Sequence, residues 1–127
     1  MKTYLSKKLH KCENCVVTTN QYGFRGEDII KEKPDEVYRI FAVGGSTTHG
    51  GTLVNDNQTW PAYLQEMLDN IQTEKEIQVV NAGIMAAHSE RELNFIKNRI
   101  VHFEPDLIIV YDGWNDSLHL PKNETIE

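Results

Sequence analysis

Residues 41–50, FAVGGSTTHG, carry an apolar β-rich run straight into a glycine-rich turn with a serine at its bend. A turn of this kind lets the Ser46 hydroxyl stand clear of the sheet edge. Taken alone, the turn also fits a tight strand-to-helix connection in which Ser46 caps the helix. A phosphate-binding loop is disfavoured, because no Gly-Lys-Ser/Thr follows and the glycine spacing is not Gly-x-Gly-x-x-Gly.

Two later segments repeat this pattern of an apolar strand that ends in glycine and polar side chains. They are residues 79–83, VVNAG, and residues 109–116, IVYDGWND. Helical patterns lie between the three strands, and strands joined by helices of this length are parallel, with right-handed crossovers. Because parallel sheets bind ligands beyond the carboxyl ends of their strands, we expect the three segments to converge on one site.

The predicted elements form the order β-α-β-α-β. The strands are predicted at residues 37–43, 77–81 and 107–111. The first helix is predicted to be capped by Thr59 and to carry an apolar face made by Trp60, Leu64, Met67, Leu68 and Ile71. The second is predicted to open with a capping box of Ser89 and Glu92 and to run to about Val101, with Leu93, Ile96 and Ile100 facing inward.

Together the three segments resemble the SGNH (GDSL-type) hydrolases, a family of esterases and acyl-ester hydrolases named for a Ser, a Gly, an Asn and a His. The resemblance implies that Ser46 is the nucleophile, in Gly-Gly-Ser where the family more often has Gly-Asp-Ser. It also implies that the Gly83 backbone N–H and the Asn115 amide are oxyanion donors. Residues 20–26, NQYGFRG, look like the lead-in of one branch of the family, so the resemblance runs from about residue 20 to the end.

The base of such a site is the part that the sequence does not supply. A serine hydroxyl is a weak nucleophile and needs a base within hydrogen-bond reach. Residues 116–119, DSLH, match the family's Asp-x-x-His by letter, but they overlap the third segment instead of following it by some tens of residues. We therefore treat His119 as a coincidence, expect His49 to edge the pocket, and expect the base His to lie outside this chain.

The fold class predicted is α/β, with a three-layer, flavodoxin-like parallel sheet that is incomplete. Residues 107–111 are apolar on both faces, which is typical of an interior strand, yet no later strand follows them. In the order 2-1-3-4-5 the third strand needs a fourth neighbour. Residues 1–36 are predicted to form an irregular arm, and residues 37–127 the N-terminal part of an SGNH hydrolase domain from a longer protein.

Composition excludes several other classes of protein. The net charge is −6 with both signs interspersed, which argues against a nucleic-acid partner. No apolar run approaches the ~20 residues of a membrane span, and the N-terminus lacks a signal-peptide core. As written, the chain is expected to be cytoplasmic, and an extracytoplasmic location stays open if an export signal precedes Met1.

The cysteines and histidines do not indicate a metal site. Cys12 and Cys15 form a single CxxC without a second pair, so no four-thiolate zinc site is available. We expect two incidental thiols, with a redox role or an intermolecular metal site as alternatives. No HxxxH or His/Cys cluster occurs, and no cofactor is implied.

The function predicted is hydrolysis of a small-molecule or carbohydrate acyl ester through a serine acyl-enzyme, with this chain alone nearly inactive. One alternative is transfer of the acyl group to a carbohydrate hydroxyl. The other is a non-catalytic module that binds a carbohydrate or a partner, keeps the pocket and lacks the base.

Overall fold

A computed structural model of the protein describes residues 2–5 and 15–119. None of the helices in these ranges is long and apolar enough to cross a membrane. The strands are β1 (Lys2–Leu5), β2 (Val16–Thr19), β3 (Val37–Gly44), β4 (Glu76–Gly83) and β5 (Leu107–Tyr111). The α-helices are α1 (Ser46–His49), α2 (Trp60–Asp69), α3 (Ser89–Asn98) and α4 (Trp114–His119), with 3₁₀ turns at Asp56–Gln58 and Ile100–Phe103.

β3 is the centre of a three-stranded parallel sheet whose order is β4-β3-β5. Residues 40–45 are all buried, as expected for a strand covered on both faces. Gly44 lies opposite Gly83 of β4 and opposite Tyr111 of β5, so the three strands end at the same level. The predicted α/β class is confirmed, since the first strand of the sheet lies between the second and the third as at the start of a flavodoxin-like order.

The core is an aromatic cluster that joins the arm to the sheet. Phe24 of the arm meets Phe41 of β3 and Phe103 edge-on, with ring centroids 5.2 Å and 5.1 Å away. Arg39 is also buried, and its guanidinium donates to the carbonyls of Ile30 and Phe103 at 2.8 Å and 2.9 Å. Phe24 and Ile30 of the arm are therefore in contact with the sheet and with the residues that cover it.

The arm contains one regular element that the sequence did not predict. β1 and β2 pair as antiparallel strands, with Leu5 opposite Val16. Cys15, just before β2, is fully buried and disulfide-bonded, so the expectation of an incidental thiol is wrong for this residue. Cys12 lies outside the described residues. The boundary between an arm and a domain at residues 36 and 37 stays a prediction.

α2 and α3 begin where predicted, but neither is capped as predicted. The Thr59 hydroxyl donates to the Asp56 carbonyl at 3.1 Å instead of accepting from α2, and α3 ends at Asn98. Several side chains expected to face inward are exposed, namely Met67, Ile71 and Leu93. A sheet three strands wide is too small to cover the whole apolar stripe of both helices.

The two edges of the described sheet differ in how they are protected. At the β4 edge, the Gln65 amide accepts from Val79 N at 2.6 Å and donates to the Ile77 carbonyl at 2.8 Å, as a neighbouring strand would. β5 has no comparable side-chain cover among the described residues, and Val110 and Tyr111 are 55% and 58% exposed. β5, predicted to be an interior strand, is thus an edge strand in this part of the chain.

This open edge predicts self-association. An apolar edge strand with unpaired N–H and C=O groups templates pairing with another chain. Light scattering of the 127-residue chain should show a mass that rises with concentration, and Val110→Lys should reduce the rise. Val101→Lys is the control, because Val101 lies outside the sheet and is 46% exposed, close to the 55% of Val110. A chain that stays monomeric at every concentration would show that the β5 edge is covered in solution.

Candidate active site

Ser46 is the first residue of α1, which follows β3 directly across Gly45. The side chain of Ser46 is exposed, whereas Thr48 of the same helix is fully buried. α1 lies directly on the strand ends because Gly44 has no side chain. A Cβ at Gly44 would lie 2.2 Å from Thr48 Oγ1 and 2.3 Å from the Tyr111 carbonyl oxygen.

Three long-range hydrogen bonds fix the orientation of α1. The Trp60 indole N–H donates to Thr48 Oγ1 at 3.1 Å, and the Asn81 amide of β4 donates to the Thr48 carbonyl at 2.9 Å. Arg25 of the arm donates to the His49 carbonyl at 2.5 Å and is itself buried. The position of Ser46 is therefore held by the arm, α2 and β4 together.

A cavity of about 90 Å³ opens beside Ser46. The turns after β3 and after β5 form it, with no contribution from the β4 end. Its lining residues are Gly45, Ser46 and Thr47 from the first turn, and Tyr111, Asp112, Trp114 and Asn115 from the second. The structure thus brings together two of the three residues that the sequence assigned to the site.

The Asn115 amide lies at the meeting point of three turns. Its Nδ2 donates to the Ala87 carbonyl at 2.5 Å, and a Cβ built on Gly45 would lie 2.7 Å from the same nitrogen. An asparagine amide nitrogen carries two hydrogens. One of them is donated to Ala87, and Nδ2 lies next to Gly45, the residue that precedes Ser46.

Gly83 does not line the cavity. Its N–H donates to Asn81 Oδ1 at 3.0 Å, and a Cβ at Gly83 would lie 2.2 Å from His49 N. The structure thus shows Gly83 as the place where β4 makes room for α1, and its oxyanion role stays a prediction.

The sequence analysis did not predict the segment between β4 and α3 that contacts Asn115. It is the turn at residues 84–87, closed by a bond from Ala87 N to the Ile84 carbonyl. Ala86 has a φ of 57° in this turn, a value usually taken by glycine. Because alanine gives no sign of a left-handed position, the sequence offered no signal for this turn.

No histidine side chain in the described part of the chain lines the cavity. His49 faces Arg25 and Asp56, and its Nδ1 is buried with no hydrogen-bond partner among the described residues. Burial, and then the Arg25 charge, lower the pKa of His49, so the neutral imidazole is favoured. His119 ends α4, and its side chain is outside the described atoms.

Comparison of the sequence with protein families identifies the family of this chain. Residues 40–125 match the family described as GDSL-like Lipase/Acylhydrolase. The chain belongs to this family. The match includes the turn with Ser46 and the segment with Asn115, as the resemblance predicted. A search of curated proteins finds no match. Membership of the GDSL-like family supports action on small-molecule esters, by hydrolysis or by acyl transfer.

A buried carboxyl group lies behind the cavity of this GDSL-like domain. Glu92 of α3 is 1% exposed, and its oxygens accept no hydrogen bond from the described donors. Burial and then the neighbouring Asp112 raise its pKa to about 7, with a smaller effect of Asp116. Two carboxyl groups can form a hydrogen bond only when one of them is protonated. Protonated Glu92 therefore donates a hydrogen bond to Asp112. No metal-binding group of three or more His, Cys, Asp or Glu occurs within residues 15–118.

The raised pKa of Glu92 should make the stability of the protein depend on pH. Its folded-state pKa is raised, so the folded protein keeps a proton that the unfolded chain releases between about pH 4.5 and pH 7. The free energy of unfolding must fall across this interval. Relative to the natural chain, Glu92→Gln should gain about 1–2 kcal/mol at pH 8 and nothing near pH 4, measured by urea denaturation. Glu90→Gln, on the exposed face of α3, is the control. Equal effects of Glu92→Gln at both pH values would contradict the assignment.

Proposed function

We propose that this chain carries the nucleophile and the oxyanion donors of an esterase site, which cleaves the acyl ester of a small molecule or carbohydrate through an acyl-enzyme on Ser46. The observation that supports it best is that Ser46 and the Asn115 amide line one cavity at the carboxyl edge of the sheet. Family membership supplies the ester chemistry.

In the proposed reaction, Ser46 Oγ attacks the ester carbonyl and loses its proton to a base. The oxyanion that forms is stabilised by the Ser46 N–H and by the Asn115 amide. The first residue of a helix has no carbonyl one turn earlier to receive its N–H, which suits Ser46 to this role. The tetrahedral intermediate collapses, its C–O bond to the alcohol breaks, and the alcohol leaves with the proton that the base took from Ser46. Water then attacks the acyl-enzyme, gives a proton to the base and releases the carboxylic acid with Ser46 restored.

Two parts of this proposal depend on groups that the cavity does not contain. Gly83 N–H can act as a third donor only if it exchanges its bond to Asn81 Oδ1 for one to the oxyanion. The base is proposed to be a histidine other than His49, His88 and His102, whose side chains are described and lie away from the cavity. Of the histidines in the sequence, His119 is the one that stands next to the site along the chain.

Transfer of the acyl group to a carbohydrate hydroxyl is the second candidate. The cavity suits a carbohydrate, either as the acyl ester or as the acceptor, because Trp114 is 74% exposed at the rim and Tyr111 lies beside it. Exposed aromatic rings with a polar end suit a ligand that has both an apolar face and solvated hydroxyl groups, such as a sugar ring. Product analysis with a carbohydrate acceptor present separates the two candidates, since only the transferase gives an acylated sugar.

Because no histidine side chain from the described residues lines the cavity, we expect the 127-residue chain to react slowly with p-nitrophenyl acetate. Loss of a triad costs on the order of a millionfold in one serine protease, and the oxyanion hole and binding retain about a thousandfold over water. We therefore expect slow acetylation of Ser46, followed by intact mass, that exceeds the rate in Ser46→Ala. Rapid turnover that depends on Ser46 would contradict the missing base, and loss of that turnover in His119→Ala would identify it.

The same assay tests the oxyanion role of Asn115. Asn115→Ala should slow acetylation of Ser46 by about a hundredfold or more, or to the Ser46→Ala background, because the amide binds charge that exists only in the transition state. Asn57→Ala, an exposed asparagine far along the chain, should leave the rate unchanged. An unchanged rate in Asn115→Ala would refute the role.

A further inference from the structure

α4 is the least packed element that contributes to the cavity. Trp114 and Leu118 are 74% and 67% exposed, so α4 buries little apolar surface against the rest of the described chain. The residue before it, Gly113, has a φ of 113° and open space where a Cβ would be. Gly113 therefore makes no side-chain contact that would hold the direction of α4, which leaves that role to the polar contacts of the helix.

Those polar contacts come from two adjacent residues of α4. Both carboxylate oxygens of Asp116 accept from Ser89 N, at 3.1 Å each, and the Ser89 hydroxyl also donates to Asp116. Asn115 donates to the carbonyl of Ala87, two residues before Ser89. The first turn of α4 is thus bound twice to one short stretch of the β4–α3 connection.

The contact with Ser89 suits an ionised carboxylate. Ser89 is the first residue of α3, where N–H groups lack intrahelical acceptors and a negative charge is favoured. The Ser89 hydroxyl bond, the largest influence, lowers the pKa of Asp116. The cap predicted from Glu92 is therefore supplied from another helix, and Glu92 is left buried beside Asp112.

We propose that Asp116, held by Ser89, is a positioning residue that fixes the Asn115 amide beside Ser46. Asn115 binds Ala87 through a rotatable side chain. The second bond, from the next residue, stops the helix from turning about Gly113. The catalytic consequence rests on the proposed function, whereas the positioning itself is a property of the fold.

The test observes the Asn115 side-chain amide directly, by ¹H–¹⁵N spectra of the 127-residue chain, with its signals assigned from their loss in Asn115→Asp. We expect Asp116→Ala to shift both amide protons and to speed their exchange with solvent. Ser89→Ala should do so less, because the backbone N–H bond remains, and Ser89→Thr should restore the natural signals. Asp35→Ala, an exposed acid elsewhere, should change nothing.

A general loss of structure is monitored in the same spectra through the signals of the buried Phe24, Phe41 and Phe103. If Asp116→Ala fails to fold, the Ser89→Ala and Ser89→Thr pair decides the question. The proposal is overturned if the Asn115 signals are unchanged in folded Asp116→Ala. It is also overturned if Asp116→Ala is unfolded and the signals are unchanged in Ser89→Ala. A failure of Ser89→Thr to show the natural Asn115 signals overturns it as well.

Acetylation of Ser46 separates this proposal from the proposed function. Asp116→Ala should slow it by about tenfold to a hundredfold, the effect expected of a displaced catalytic group. Adding Asp116→Ala to Asn115→Ala should cost nothing more, since the amide to be positioned is gone. An additional loss in the double variant would overturn the positioning role. A further outcome is that the amide signals move as expected while Asn115→Ala and Asp116→Ala both acetylate Ser46 at the natural rate. That outcome supports the positioning role of Asp116 and refutes the oxyanion role of Asn115.

Discussion

The close approach of α1 to the strand ends is the constraint on which the rest of the site depends. It is possible only because Gly44 and Gly83 lack side chains, since a Cβ on either would lie 2.2 Å from an atom of α1. Once α1 rests there, Thr48 is buried under Trp60 and Asn81, and Ser46 is left at the edge of the sheet. Gly45 also lacks a side chain, and this leaves room for the Asn115 amide next to the turn that carries Ser46.

The two sides of the cavity are therefore held in different ways. The serine side is fixed by close packing and by hydrogen bonds from the arm, including those that the buried Arg25 donates to the loop after α1. The Asn115 side follows a glycine and depends on the bonds of Asn115 and Asp116 to the β4–α3 connection. Interactions of the second kind are partly exposed to solvent, so this side is expected to be the first to open.

Local patterns in the sequence predicted the strands, the parallel order and the convergence of Ser46, Gly83 and Asn115 on one site. The structure brings Ser46 and Asn115 to one cavity, which Gly83 does not line. The patterns succeed because apolar runs that end in glycine place polar side chains at one edge of a parallel sheet. Contacts between distant segments were not predicted in the same way. The spacing of Ser89 and Glu92 matches a capping box, but Asp116 takes the Ser89 hydroxyl, so a long-range carboxylate overrides the local motif. Gly83 was interpreted through its N–H, whereas the structure shows the reason for a glycine in its missing Cβ.

The central claim is that Ser46 is a nucleophile facing oxyanion donors in a GDSL-like domain. Reaction of the chain with a serine-directed fluorophosphonate, followed by peptide mapping, tests this most directly. The account predicts a slowly formed single adduct on Ser46 that is absent in Ser46→Ala, with Ser89 and Ser117 unmodified. Absence of any adduct after long exposure, or modification spread over the exposed serines at similar rates, would contradict it and favour a binding module.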